Sequence, residues 1–174
     1  MSNTGWTGLC NEVVPDCIGG LLAACGVPAE YSGPKLSLDG RASGIVASIG
    51  FTSVQLTGTL TLSTTPEVIV SAGATSDSER DVMDWAGELA NQALGRIKNR
   101  LLHYDVKLVM ATPIAVTGTR LYPRAAKGGR SYFSFITPGG TIDVHLGAAV
   151  DESFVWTMMS EPDGAPAEGD FLTL

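Results

Sequence analysis

The stretch Gly87-Glu88-Leu89-Ala90-Asn91-Gln92-Ala93-Leu94-Gly95-Arg96-Ile97-Lys98 decides how the chain reads. Its period is helical. At about 100° per residue, Val82, Trp85, Leu89, Ala93 and Ile97 fall on one apolar stripe. Glu88 and Asn91 lie nearly opposite, with Asp84, Gly95 and Lys98 around them. Two long polar side chains therefore point outward from a surface lowered by Gly87 and Gly95. Glu and Asn three apart also describe an ordinary solvated helix face. The glycines argue for more, because each costs about 1 kcal/mol in a helix relative to Ala. They point to close approach, whether of a partner or of internal packing.

Working outward, Ser76-Asp77-Ser78-Glu79 reads as a capping box with Ser76 at the cap, so the helix runs from there to about Leu102. Strand candidates follow at Val106–Ala111, Ile114–Leu121, Ser131–Ile136, Ile142–Leu146 and Phe154–Met159. Pro138-Gly139-Gly140 is a tight turn between two of them. Ala125–Arg130 reads as a mobile loop. Upstream, residues 8–25 form a helix of small and apolar residues, with Pro15 tolerated in its first turns and Gly26-Val27-Pro28 ending it. Residues 29–42 are turn-rich. Ile45–Phe51 and Val54–Leu62 look like adjacent strands, and the second alternates apolar with threonine and glutamine, as a sheet with one buried face does. Thr65-Pro66-Glu67 starts a short helix. The expected fold is α+β, an antiparallel sheet packed against two main helices. The expected domain covers residues 1–159. Residues 160–174 hold four acids and little to bury before Phe171 and Leu172, and disorder is expected there.

With 174 residues the chain is long enough for one domain with a substantial core. Its formal charge of −7 argues against nonspecific nucleic-acid binding, which needs several cations on phosphates. Arg96, Lys98, Arg100 and Lys107 near the helix read as solvated surface charge. No run approaches the roughly 18 apolar residues of a membrane span. The N-terminus lacks the basic start and apolar core of a signal peptide, and the expected location is cytoplasmic. Cys10, Cys17 and Cys25 share one helix face and read as small buried residues. Neither their spacing nor the distant His103 and His145 makes a zinc site. Asp84 and Glu88 form a carboxylate pair with no further ligands. Ser131, Ser134 and His145 lack a nucleophile elbow. No phosphate-cradling glycine loop is present. Trp6, Trp85 and Trp156 read as core.

The run G-E-L-A-N-x-x-x-G-x-x-K, followed by Ala111-Thr112-Pro113-Ile114-Ala115-Val116-Thr117-Gly118, resembles the CheX/CheC-type chemotaxis phosphatases. Their signature is an E-x-x-N helix, then a strand with a Pro and a Gly five residues later. In order of elements the likeness extends over roughly residues 40–159, and its motifs lie in Asp84–Lys98 and Thr112–Gly118. It implies the CheC-like fold and a phosphorylated response-regulator receiver domain of CheY type as partner and substrate. In that setting Asn91 positions the attacking water, and Glu88 pairs with a partner cation, expected to be the lysine beside the phosphorylated aspartate. Asp84, Gly87, Gly95 and Lys98 would then line the docking face. No cofactor or metal is expected in this chain, since the receiver carries its own Mg²⁺. Some relatives have two E-x-x-N helices; here the N-terminal helix has Glu12 but Pro15 where the Asn would stand, so one site is expected. Dimerisation by sheet exchange is known in the CheX branch, so the resemblance also implies a homodimer as a partner state of this chain. Two features depart from the pattern: the segment after the second strand is shorter than the usual helix, and the acidic tail is extra. The alternative is a non-catalytic adaptor on the same fold, binding a receiver or a flagellar switch component.

Overall fold

The computed structural model describes residues 4–35, 42–121 and 128–158. The tail beyond Met158 and the first half of the Ala125–Arg130 loop lie outside them, while Gly129 and Arg130 of that loop already belong to a strand. The chain runs α1 (Thr4–Ala24), β1 (Glu30–Lys35), β2 (Ala42–Thr52), β3 (Leu56–Thr64), α2 (Pro66–Ser71), α3 (Glu79–Leu102), β4 (Val109–Met110), β5 (Ile114–Leu121), β6 (Gly129–Thr137) and β7 (Gly140–Val150). The strands make one sheet in the order β1-β6-β7-β3-β2-β4, and β5 also pairs with β2. Every pairing is antiparallel. The expected α+β architecture is the one observed.

Period-2 patterning sets which face of the sheet the helices cover. Leu60 stands opposite Ile49 on β2 and Leu146 on β7, and Leu62 stands opposite Ala47 and Val144. Phe133 and Phe135 extend this row on β6. All belong to a single core with Val14, Ile18 and Leu21 of α1 and with Leu89, Leu94 and Ile97 of α3. Phe133 is fully buried, and its truncation to Ala would cost about 3–5 kcal/mol. Gly58 is required on this face, because a Cβ there would collide with the Phe51 ring and the Gly147 carbonyl.

The other face departs from a simple exposed one. Thr61, Ser63, Ser134 and His145 are buried. Small polar side chains pair across strands: Ser48 with Thr61 at 3.0 Å, and Ser134 donating to Asp143 at 2.7 Å. Tyr132 stacks on His145 with centroids 4.5 Å apart. Burial holds His145 below the usual histidine range, and the Arg130 charge adds to the effect.

Several local expectations are corrected. Helix α1 begins at Thr4, so Pro15 lies in its interior rather than its first turns. The helix continues because Val13, Val14, Cys17 and Ile18 around the proline are buried, which offsets the lost hydrogen bond. β1 occupies the stretch read as turns; its Gly33-Pro34 step coincides with a register shift against β6, as a bulge tolerates. The cap of α3 is Ser78, accepting from the Asp81 N–H at 3.2 Å, and not Ser76. Ser76 instead hydrogen-bonds the Asp81 carboxylate, which its hydroxyl above all holds below the usual carboxylate range. Phe154–Met158 is irregular and not a strand. There Trp156 packs on Trp6, Tyr104 and Phe154 with centroids 5.5, 5.9 and 4.8 Å away. Trp6 is core, whereas Trp85 and Trp156 are half-buried. No disulfide joins the three cysteines; Cys10 and Cys17 are buried, and Cys25 is partly so.

Candidate functional site

Helix α3 carries the site. Val82, Leu89, Ala93 and Ile97 bury the stripe read from the sequence. Ala86, Ala90, Leu94 and Leu101 widen it, because α3 is wedged between α1 and strands β2 and β5. Trp85 Nε1 donates to the Ala72 carbonyl at 2.9 Å, tying α3 to the end of α2. Thr117 Oγ1 donates to Glu79 Oε1 at 3.2 Å, tying its first turn to β5. Both contacts anchor the first two turns of the helix, just ahead of Glu88 and Asn91.

Glu88 and Asn91 stand on that face, each half-buried. Glu88 Oε1 accepts from Gln92 Nε2 at 2.9 Å. The Asn91 carboxamide makes no side-chain hydrogen bond among the described residues, so its donor and acceptor are both available. Asp84 is exposed and lies 3.8 Å from Arg80, a solvent-screened pair of little energy. Lys98 is half-buried one turn beyond Gly95.

The two glycines differ. Gly95 opens outward, and a Cβ there would meet nothing within 4 Å. Gly87 is buried, and a Cβ there would lie 3.7 Å from Pro113 Cγ. The approach at Gly87 is therefore that of the chain entering β5. β4 and β5 both pair with β2 along one side, and Thr112-Pro113 interrupts them. The proline lacks an N–H and cannot continue the ladder. The break sets Pro113 against α3 at Gly87.

The structure thus gathers Glu88, Asn91, Asp84, Gly95 and Lys98 on one face, with Gly87 beneath Pro113. Gln92 and Pro113 were not assigned site roles from the sequence. The signal for Gln92 was its place four residues after Glu88. No cluster of three or more His, Cys, Asp or Glu suited to a metal occurs among the described residues. No helix among them is long and apolar enough to cross a membrane.

An arrangement of one unengaged carboxamide and one held carboxylate suits the positioning of a water and the docking of a cation. Comparison with solved structures agrees with the fold. A CheX chemotaxis protein from Desulfovibrio desulfuricans superposes with a TM-score of 0.71 at 18% identity, over 82% of this chain and 99% of that one. A CheC-like superfamily protein from a Shewanella species gives 0.69 at 24% identity, over 79% and 95%. The CheX–CheY–BeF3–Mg²⁺ complex from Borrelia burgdorferi gives 0.66 at 14% identity, over 79% and 96%. No curated protein matches the sequence. Residues 45–137, more than half of the chain, match the family model described as chemotaxis phosphatase CheX, and the chain belongs to that family.

Proposed function

We propose that this protein hydrolyses the aspartyl phosphate of a CheY-type receiver domain, with Asn91 positioning the water and Glu88 anchoring the partner. The observation that carries the reading is the contrast on α3: an unengaged Asn91 carboxamide one turn from a Glu88 carboxylate fixed by Gln92. Membership of the CheX family supports it, as does the Borrelia burgdorferi relative solved with CheY, BeF3 and Mg²⁺.

The chemistry asks little of this chain. An acyl phosphate is already reactive, and its carboxylate is a good leaving group. Water attacks phosphorus, the P–O bond to the aspartate breaks, and inorganic phosphate and a free carboxylate result. Mg²⁺ belongs to the receiver. What remains is to hold a water in line with the breaking bond. A carboxamide does this well, since it accepts from the water through its oxygen and donates through its nitrogen. Glu88 supplies a negative charge for a cation beside the phosphorylation site. Asp84, Gly95 and Lys98 border the contact, and Gly87 contributes by seating Pro113 against the helix.

The test is phosphate release from a purified phosphorylated receiver with and without this protein. Acceleration is expected at substoichiometric amounts. A protein that binds the receiver but leaves its decay unchanged would be an adaptor on the same fold.

A further inference from the structure

The Glu88 carboxylate is held by a neighbour on its own helix. Gln92 Nε2 donates to Glu88 Oε1 at 2.9 Å, and both side chains are half-buried. The direction is natural: helical side chains lean toward the N-terminus, so Gln92 reaches back over the turn that carries Glu88. Charge favours the same pairing. Asp84 stands four residues before Glu88, and like charges at that spacing repel. Arg80 screens Asp84 only weakly across 3.8 Å of exposed surface. The Glu88 carboxylate is thus disfavoured on its N-terminal side and held on its C-terminal side. Its second oxygen has no partner among the described residues. A lysine or arginine at position 92 would neutralise Glu88 and compete with an incoming cation, whereas a carboxamide orients the carboxylate and leaves its charge.

We propose that Gln92 is a positioning residue for partner docking: its carboxamide fixes the Glu88 side chain so that the free carboxylate oxygen meets the receiver's cation. The inference rests on the reading that Glu88 anchors the receiver. Ordering a long side chain at association costs about 0.5–1.5 kcal/mol, and Gln92 removes part of that cost before the partner arrives.

Gln92→Leu tests it, because Leu keeps the stem and the helix propensity but cannot donate. Two quantities are measured: affinity for a receiver loaded with beryllofluoride and Mg²⁺, and phosphate release at saturation. Both are taken in the wild-type and Glu88→Ala backgrounds, with circular dichroism as the check on folding. Expected are an affinity loss of about 2- to 10-fold, the range that ordering cost converts to, and an unchanged saturated rate. Gln92→Leu should have no effect once Glu88 is Ala. An equal loss in both backgrounds would overturn the proposal, as would a loss confined to the saturated rate. If Glu88→Ala weakens binding while Gln92→Leu does not, positioning fails and anchoring stands. If Glu88→Ala binds as wild type, the anchoring reading fails and this one with it.

Discussion

Replacing Asn91 by Ala should separate chemistry from folding. Asn91 is half-buried on the outer face of α3 and makes no side-chain hydrogen bond among the described residues. Its removal therefore orphans no buried partner there, which is the usual source of a large destabilisation. Ala is also the better helix former, by about 0.5 kcal/mol. At roughly 2–4 °C per kcal/mol for a chain of this size, the melting temperature should stay within about 2 °C or rise slightly. The reaction should respond differently. Loss of one preorganised polar group at a reacting centre costs about 10²- to 10³-fold in rate, or roughly 2.7–4 kcal/mol. The assay is decay of a phosphorylated receiver at saturating variant, with affinity for a beryllofluoride-loaded receiver measured in parallel. A rate at least 10²-fold lower with little change in affinity is expected. An Asn91→Ala protein that still dephosphorylates at the wild-type rate would refute the water-positioning role and bring the adaptor reading forward.

Gly95→Leu should fold normally, since nothing lies within 4 Å of the new Cβ, yet should weaken receiver binding by calorimetry; wild-type affinity would show that the docked surface does not approach Gly95. Gly58→Ala should lower stability by about 2–3 kcal/mol, read as a drop of roughly 4–12 °C, because the Phe51 ring and Gly147 carbonyl leave no room; an unchanged melting temperature would mean the Phe51 ring moves aside freely. His145 gives a pH prediction. Burial lowers its folded pKa, so the unfolded chain binds the proton more readily, and stability present above the unfolded value of about 6.5 falls as pH drops below it. His145→Gln should flatten the melting-temperature profile between about pH 7 and 5, and an unaltered slope would show that other groups set it.

Elements whose own patterning matches their burial were legible in the sequence. α3 announced itself through Val82, Leu89, Ala93 and Ile97, and β3 through Leu56, Leu60 and Leu62, because one face of each meets the core. β5 emerged with its boundaries intact. What stayed hidden depends on distant contacts. β1 contains Gly33 and Pro34, both breakers, and exists because β6 offers it a partner around Phe133 and Phe135. Phe154–Met158 looks like a strand in composition, yet its Trp156 finds Trp6 and Tyr104 and pairs with no ladder. Ser76 and Ser78 are both chemically competent to cap α3. The choice between them is made by where Asp81 places its N–H and its carboxylate.

Gly87 and Gly95 show the same limit within the site. In sequence they are equivalent: each lies near the Glu88–Asn91 pair and each weakens the helix by a similar amount. The fold gives them different work. Gly87 looks inward at Pro113, whose missing N–H breaks the strand entering β5 and lets that chain lie against the helix. Gly95 looks outward at open space. The Pro five residues before Gly118 is therefore tied to the E-x-x-N helix by packing: Pro113 lies over position 87, where a Cβ would just touch it at 3.7 Å and a longer side chain would run into it. This predicts coupling. A bulky residue at Gly87 should push on Pro113 and the start of β5, costing stability, whereas the same residue at Gly95 should cost only binding. Paired thermal and binding measurements on Gly87→Leu and Gly95→Leu read this directly. Equal losses of stability at both positions would refute the division of roles.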